Sequence, residues 1–204
     1  RTGKPIILST GMCTLEEVRQ SVDVILGEGN DRLTLLHAVT SYPTHPEHVN
    51  LRAMQTLMEA FPTLDVGYSD HTISPISSLC AAAMGAQVIE RHFTYNKEAD
   101  GPDHMLSSDP AEMKWLVDAI RAFEIMRGNG IKHPADSEKT TRRNNRKSVV
   151  VSHAVKTGDR LTADHLAIKR PGYGIQPRLF EQVIGRVVCR DLEADSVLEW
   201  SDLS

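Results

Sequence analysis

Short apolar runs alternate with longer amphipathic stretches along the first two thirds of the chain. Four of these runs, residues 5–8, 33–37, 64–69 and 87–93, have the length of buried strands. A stretch with helical spacing of apolar positions follows each run. Because strands that alternate with helices favour a parallel sheet, the pattern predicts four βα units in an α/β fold.

Local signals indicate where the helices begin and end. Thr14 and Glu17 have the spacing of a capping box, and Pro110 and Glu112 suit the first turn of the fourth helix. The second helix is predicted at about residues 50–61, before Pro62, and the third at about residues 75–84.

The amino-acid composition changes after Gly128. Residues 129–147 are rich in Gly, Asn, Pro and basic side chains, which is typical of an interdomain linker. Beyond them, short β-rich pieces at residues 148–151, 166–169, 187–189 and 197–199 alternate with turns. The predicted organisation is therefore a first domain at 1–128, a linker at 129–147 and a small β-rich domain at 148–204.

Composition narrows the classes of function. With 40% hydrophobic residues and a formal charge of -4, the chain has no basic field that would attract nucleic acid or an anionic membrane. The apolar stretch at residues 73–88 is interrupted by polar residues, so no membrane span is expected. Cys13, Cys80 and Cys189 have unrelated spacings, which predicts free thiols in a reducing cytoplasm.

Polar side chains recur where the predicted strands end. Ser9 ends the first run, Thr40 and Tyr42 follow the second, and Ser69 ends the third. His71 and His92 fall at equivalent points of the third and fourth runs. Because ligands of such sheets bind at the carboxyl ends of the strands, the two imidazoles are candidates for a divalent metal site with open positions.

Structural roles compete with each of these assignments. A single histidine at a strand end is more often hydrogen-bonded structure than a ligand, and hydroxyl groups commonly cap turns. His37 is interpreted as an interior histidine with a satisfied ring. Of Glu90 and Arg91, one is expected to form an ion pair with a helix.

Two further candidates lie in loops. Asp103, in the segment Gly-Pro-Asp-His, either accepts hydrogen bonds from sugar hydroxyls or caps a turn. Arg170, in the segment Lys-Arg-Pro-Gly, either recognises a carbonyl or carboxylate group or is a solvated surface residue.

Six motifs together resemble the sialic acid synthase family in order and spacing. They are KPIILSTGM at residues 4–12, YPT at 42–44, GYSDHT at 67–72, ERHFT at 90–94, GPDH at 101–104 and KRPG at 169–172. The resemblance implies the C-terminal half of a TIM-type barrel, followed by a small antifreeze-like (SAF) domain. It also implies a homodimer in which the small domain of one subunit covers the barrel of the other.

The resemblance assigns roles to the candidate residues. His71 and His92 would be catalytic metal ligands, with Mn²⁺ favoured and Mg²⁺ or Co²⁺ as alternatives. Substrate contacts would come from phosphoenolpyruvate-binding and sugar-binding side chains: Ser9, Thr40, Tyr42, Ser69, Asp103 and Arg170. Thr40 stands where some family members have Asn.

The implied reaction joins phosphoenolpyruvate to N-acetylmannosamine, or to a diacetylated deoxy relative, and releases phosphate. The family's first four strands have no counterpart here, and Arg1 leads straight into an apolar run without an initiator Met. We therefore expect a partial chain that is inactive alone. Alternatives are a non-catalytic sugar-binding fragment, a polysaccharide-biosynthesis paralogue, and an octulosonate-phosphate synthase, against which the KRPG segment argues.

Overall fold

The computed structural model describes residues 3–204, which form two compact units divided between Gly130 and Ile131. Arg1 and Thr2, with which the predicted first domain begins, lie outside the described residues.

The first unit is built on a four-stranded parallel sheet. Its strands are β1 (Ile6–Ser9), β2 (Leu33–Ala38), β3 (Asp65–Asp70) and β4 (Ile89–Arg91). They are hydrogen-bonded in the order β1-β2-β3-β4, so neighbours along the chain are neighbours in the sheet. The predicted α/β class with four βα units is confirmed, although β4 is shorter than the apolar run that predicts it.

A helix follows every strand of this sheet. The helices are α1 (Leu15–Gly27), α2 (Arg52–Ala60), α3 (Ile76–Ala83) and α4 (Pro110–Met126). Both predicted helix starts are confirmed: Thr14 and Glu17 form a capping box at α1, and Asp109 and Glu112 form one at α4. Each box satisfies backbone N–H groups that a helix start leaves without partners.

The core of the first unit lies between the helices and one face of the sheet. Leu33, Leu35, Val66 and Tyr68 are buried there against apolar residues of α1, α2 and α3. Because side chains alternate along a strand, the opposite face carries Ser9, Leu36, Gly67, Ser69 and Glu90. Ser9, Ser69 and Glu90, at or near the strand ends, are thereby presented away from the core.

The segment predicted as a linker contains regular structure. A short 3₁₀ turn at Asp136–Glu138 leads into α5 (Lys139–Asn145), and their side chains are exposed. No element is predicted here from the sequence, because this helix has no apolar face and buries none of its side chains. Such a helix leaves no periodic signal in the sequence.

The second unit has a small antiparallel sheet of two strands. β5 (Ser148–Val151) pairs with β6 (Leu166–Lys169), at the bounds that the sequence predicts. The unit also contains a short helix, α6 (Phe180–Val183), and three 3₁₀ turns, at Ala163–His165, Pro177–Leu179 and Trp200–Asp202. Its own apolar core includes Val149, Val151, Leu161, Val183 and Leu198.

The prediction of strands at residues 187–189 and 197–199 is wrong. Val187, Val188 and Val197 form only isolated bridges, to Arg160, Leu203 and Val150 respectively. Val188 is buried in the core of this unit, and turns on either side of these short segments prevent the pairing from extending. No helix within residues 3–204 is long and apolar enough to cross a membrane.

Candidate active site at the carboxyl ends of the sheet

His71 and His92 directly follow β3 and β4, and the structure brings their rings together. The ring centroids are 5.4 Å apart in an edge-on arrangement. Neighbouring parallel strands end at the same edge of a sheet, so equivalent positions meet in space. This distance confirms the prediction that the two imidazoles lie close together.

The orientation of the His71 ring is fixed by the backbone. Its Nδ1 lies 2.8 Å from the carbonyl oxygen of Val39, and the residue is only 6% exposed. Because a carbonyl oxygen can only accept, Nδ1 carries the hydrogen in this bond. In a neutral ring the lone pair is then on Nε2, which is the form that a metal ligand needs.

His92 is more accessible than His71 and lies beside an acid. Its Nδ1 is 3.6 Å from Oδ2 of Asp103, which is too long for a hydrogen bond. Tyr42 packs on both histidines, with ring centroids 4.2 Å from His71 and 5.7 Å from His92. Four predicted site residues therefore form one cluster of side chains.

Ser69 lies beside this cluster but has a partner of its own. It is buried, and its hydroxyl donates to Oε1 of Glu90 at 2.7 Å. Glu90 pairs with Ser69 in the sheet register and therefore shares its face. Glu90 was not among the predicted site residues. It lies two residues before His92 in the same predicted strand, and this spacing was the signal that both side chains share one face.

The remaining candidates lie in different surroundings. Ser9 ends β1, two strands away from Ser69, and is exposed. Thr40 is exposed in the loop after β2, where its hydroxyl leaves no room for a Cβ at Gly11. Arg170 belongs to the second compact unit, where it is exposed in the turn after β6.

His37 is confirmed as an interior histidine, since its Nε2 donates to the carbonyl oxygen of Val49 at 2.9 Å.

Arg91 has a different partner from the one that was expected. Its Nη1 lies 2.6 Å from Oδ2 of Asp70 on the neighbouring strand, with both side chains at most 1% exposed. The expected ion pair with a helix is therefore wrong. Helix α3 contributes hydroxyl groups instead, because Ser77 and Ser78 both donate to the Asp70 carboxylate.

Asp70 was absent from the sequence-based candidates. It is fully buried and lies on the helix-facing side of β3 together with Tyr68. Burial, and then the nearby Asp70 carboxylate, raises the pKa of the Tyr68 phenol. Asp70 directly precedes the candidate ligand His71 on a buried strand, and a buried charge needs a partner. This position was the signal in the sequence that could have identified it.

The donor set determines which ions would suit the site. Within residues 3–204, no group of three or more His, Cys, Asp or Glu side chains is arranged to hold a metal. Two imidazoles, of which His71 has its lone pair on Nε2, fit a borderline divalent ion whose other positions are filled by water or substrate oxygens. The residues present are therefore compatible with a partial, open metal site.

Comparisons with known proteins agree with this architecture. Residues 1–132 match the model of the NeuB family, and residues 146–204 match that of the SAF domain. The chain is 42% identical to the N,N'-diacetyllegionaminic acid synthase of Legionella pneumophila over 203 residues, which is 98% of this chain and 57% of that protein.

Two solved structures are also similar. The spore coat polysaccharide biosynthesis protein spsE of Bacillus subtilis gives a TM-score of 0.60 at 31% identity, covering 99% of this chain and 62% of that one. The N-acetylneuraminic acid (sialic acid) synthetase of Leptospira borgpetersenii gives 0.62 at 33% identity, covering 68% and 48%. The chain thus spans less than two thirds of the length of the relatives that it matches.

The predicted resemblance is confirmed by matches that extend over both units and include the motifs on which it was based. The parallel sheet with its histidine pair lies within the first matched region, and the small antiparallel sheet lies within the second. This chain belongs to the NeuB family and carries a SAF domain.

Proposed function

We propose that the protein to which this chain belongs is a nonulosonic acid synthase, which condenses phosphoenolpyruvate with an N-acetylated amino sugar. The observation that carries the proposal is the His71–His92 pair, with ring centroids 5.4 Å apart at the carboxyl edge of a parallel sheet. Relatives named as legionaminic, pseudaminic and N-acetylneuraminate-9-phosphate synthases support this class of reaction.

The reaction forms one carbon–carbon bond and breaks one carbon–oxygen bond. The enol carbon of phosphoenolpyruvate attacks the aldehyde carbon of the open-chain sugar, whose oxygen takes up a proton. Water adds to the resulting cationic carbon, and phosphate leaves with the oxygen that joined it to the carbon skeleton. The products are a nine-carbon keto acid and phosphate.

The two histidines are proposed to hold a divalent ion, with Mn²⁺ favoured over Mg²⁺ or Co²⁺. Such an ion, when bound, polarises a carbonyl oxygen as a Lewis acid. The contribution of this chain is to orient the ring of His71 through the 2.8 Å bond to Val39 and to confine both rings against Tyr42. These contacts keep the ligands fixed before the substrate arrives.

The substrate contacts are proposals of the same kind. Tyr42 and Asp103, which pack beside the histidines, are assigned to the amino sugar, and Ser9, Thr40 and Ser69 to phosphoenolpyruvate. Arg170 is proposed to reach the N-acetyl group in a homodimer, from the SAF domain of the partner subunit. Cytoplasmic location is part of the proposal, and the three free cysteines support it.

The metal site can be tested on the chain itself. Addition of Mn²⁺ to the 204-residue protein, followed by electron paramagnetic resonance of the free ion, is expected to reveal one bound ion per chain. His71→Ala is expected to weaken this binding at least tenfold, because second-shell changes alone typically cost about 10- to 100-fold. His37→Gln is the matched control, since His37 is buried but bonded to Val49.

Binding of Mn²⁺ that is the same in wild type, His71→Ala and His37→Gln would contradict the metal assignment. The reaction itself is tested by phosphate release from phosphoenolpyruvate with a panel of amino sugars, after the upstream half of a relative is supplied. We expect release only in the complemented sample. Sugar binding without phosphate release in that sample would instead favour a non-catalytic role.

A further inference from the structure

A buried ion pair lies directly beneath the two histidines. Asp70 precedes His71, Arg91 precedes His92, and their side chains meet at 2.6 Å with exposures of 0% and 1%. Removing two such charges from water costs several kcal/mol per ion, which their attraction repays only with excellent geometry and further hydrogen bonds. Stability alone is therefore a weak reason for this pair.

The hydrogen bonds of the pair are fully used. The Asp70 carboxylate accepts from the hydroxyls of Ser77 at 2.7 Å and Ser78 at 2.5 Å, and from the backbone N–H of Thr72 at 2.8 Å. No buried side-chain nitrogen or oxygen among the described residues lacks a partner. A fully satisfied network of this kind rigidifies the backbone to which it is attached.

Arg91 binds backbone on the far side of His71. One guanidinium nitrogen donates to the carbonyl oxygens of Thr72 and Ile73, both at 2.7 Å. Since Asp70 also holds the N–H of Thr72, the segment immediately after His71 is fixed from both ends of the ion pair. The peptide that carries His71 therefore has little freedom to rotate.

Arg91 also fixes the chain that runs beside His92. Its Nε donates to the hydroxyl of Ser108 at 2.6 Å. The backbone of Ser108 in turn donates to the carbonyl oxygen of His92 at 2.9 Å and accepts from the N–H of Thr94 at 2.9 Å. One guanidinium group thus connects the backbone at both histidines.

We propose that Asp70 and Arg91 are positioning residues, which set the geometry of His71 and His92 for a divalent cation from the opposite face of the sheet. The inference rests on the proposed metal-dependent function and adds the group that orients both ligands at once. Neither Asp70 nor Arg91 is assigned a contact with metal or substrate.

Arg91→Lys separates charge from positioning. Lysine retains a positive charge that can pair with Asp70, but it has no planar fork to reach Thr72, Ile73 and Ser108 together. We expect a folded protein whose Mn²⁺ affinity is lower by about 10- to 100-fold, the range typical of second-shell changes. In the metal-free protein, the Nδ1–H signal of His71 in ¹⁵N NMR is expected to exchange faster with water.

A second variant guards against misfolding. Asp70→Leu combined with Arg91→Met removes both charges, so no unpaired ion remains, and replacements of this kind often preserve the fold. The same loss of affinity is expected. The control is Arg190→Lys, because Arg190 also pairs with a buried carboxylate, Asp202 at 2.7 Å, but lies in the second unit. The Mn²⁺ affinity of the Arg190→Lys variant is expected to equal that of wild type.

Separate outcomes distinguish the two proposals. The network variants are Arg91→Lys and the double variant Asp70→Leu with Arg91→Met. If His71→Ala loses Mn²⁺ binding while both network variants fold and bind Mn²⁺ like wild type, the positioning role is wrong and the metal site stands. If His71→Ala binds Mn²⁺ like wild type, the metal site is wrong. In that case unchanged exchange of the His71 Nδ1–H in the network variants would overturn the positioning role as well.

Discussion

At the scale of single residues, Gly67 in β3 lies so close to neighbouring atoms that there is no room for a side chain. A Cβ atom at this position would lie 2.2 Å from the carbonyl oxygen of Val88 and 2.7 Å from Cδ2 of Leu36. The first of these neighbours is backbone and accepts the N–H of Tyr68 at 2.9 Å. Any side chain at Gly67 must therefore displace the entry to β4, the strand that precedes His92.

Gly67→Ala is expected to destabilise the first unit by about 1–3 kcal/mol, the usual cost of forcing extra atoms into a packed interior. Urea denaturation measures the change. Gly27→Ala is the matched control, because a Cβ there meets nothing within 4 Å and Gly27 lies at the end of α1. The control is expected to be neutral or slightly stabilising. Equal midpoints for Gly67→Ala and wild type would contradict the packing argument.

At the scale of elements, a turn in the second unit depends on one carboxylate. Asp191 accepts from the backbone N–H of Thr157 at 2.9 Å, from the Thr157 hydroxyl at 3.1 Å and from the Lys156 ammonium at 2.9 Å. These bonds, led by the one from the Thr157 backbone, lower the pKa of Asp191 to about 2. The carboxylate therefore joins two turns that are 34 residues apart.

The stability of the second unit is expected to fall as the pH decreases from about 4 towards 2. The unfolded chain protonates an aspartate near its ordinary pKa of about 3.9, whereas the folded chain holds it ionised to about 2, so stability present above pH 4 is lost below it. Denaturant unfolding at several pH values measures this. Asp191→Asn should flatten the dependence, and an unchanged slope would contradict the assignment.

Local signals explain which elements the sequence predicted correctly. The capping boxes at Thr14 and Asp109 depend on neighbours within a few residues. The strands β5 and β6 coincide with short β-rich runs bounded by turns, which the sequence shows before their pairing is known. The histidine pair was predictable because two strands with the same pattern end alike. By contrast, the partner of Arg91 is 21 residues away on another strand, and single-residue bridges such as that of Val197 depend on tertiary packing.

At the scale of the whole molecule, each compact unit has its own core and one tryptophan. Leu35 is fully buried in the first core and Leu161 is 1% exposed in the second, while Trp115 and Trp200 are half-exposed probes, one per unit. Stability can therefore be followed separately in each unit by fluorescence of single-tryptophan variants.

Leu35→Ala is expected to destabilise the transition reported by Trp115 by about 2–5 kcal/mol, the range for buried leucines. The transition reported by Trp200 should move far less. Leu161→Ala serves as the reciprocal case, with the larger shift expected at Trp200. If either substitution moved both transitions equally, the two cores would not be separate units of stability.

The alternation of Asp70 with His71 and of Arg91 with His92 has a practical consequence for protein engineering. Successive side chains of a strand point to opposite faces, so the residues that fix the backbone occupy one face and the candidate ligands the other. A library that varies positions 71 and 92 to change metal preference could keep residues 70 and 91 constant. Such a library would sample new donor atoms while the backbone that carries them stays fixed.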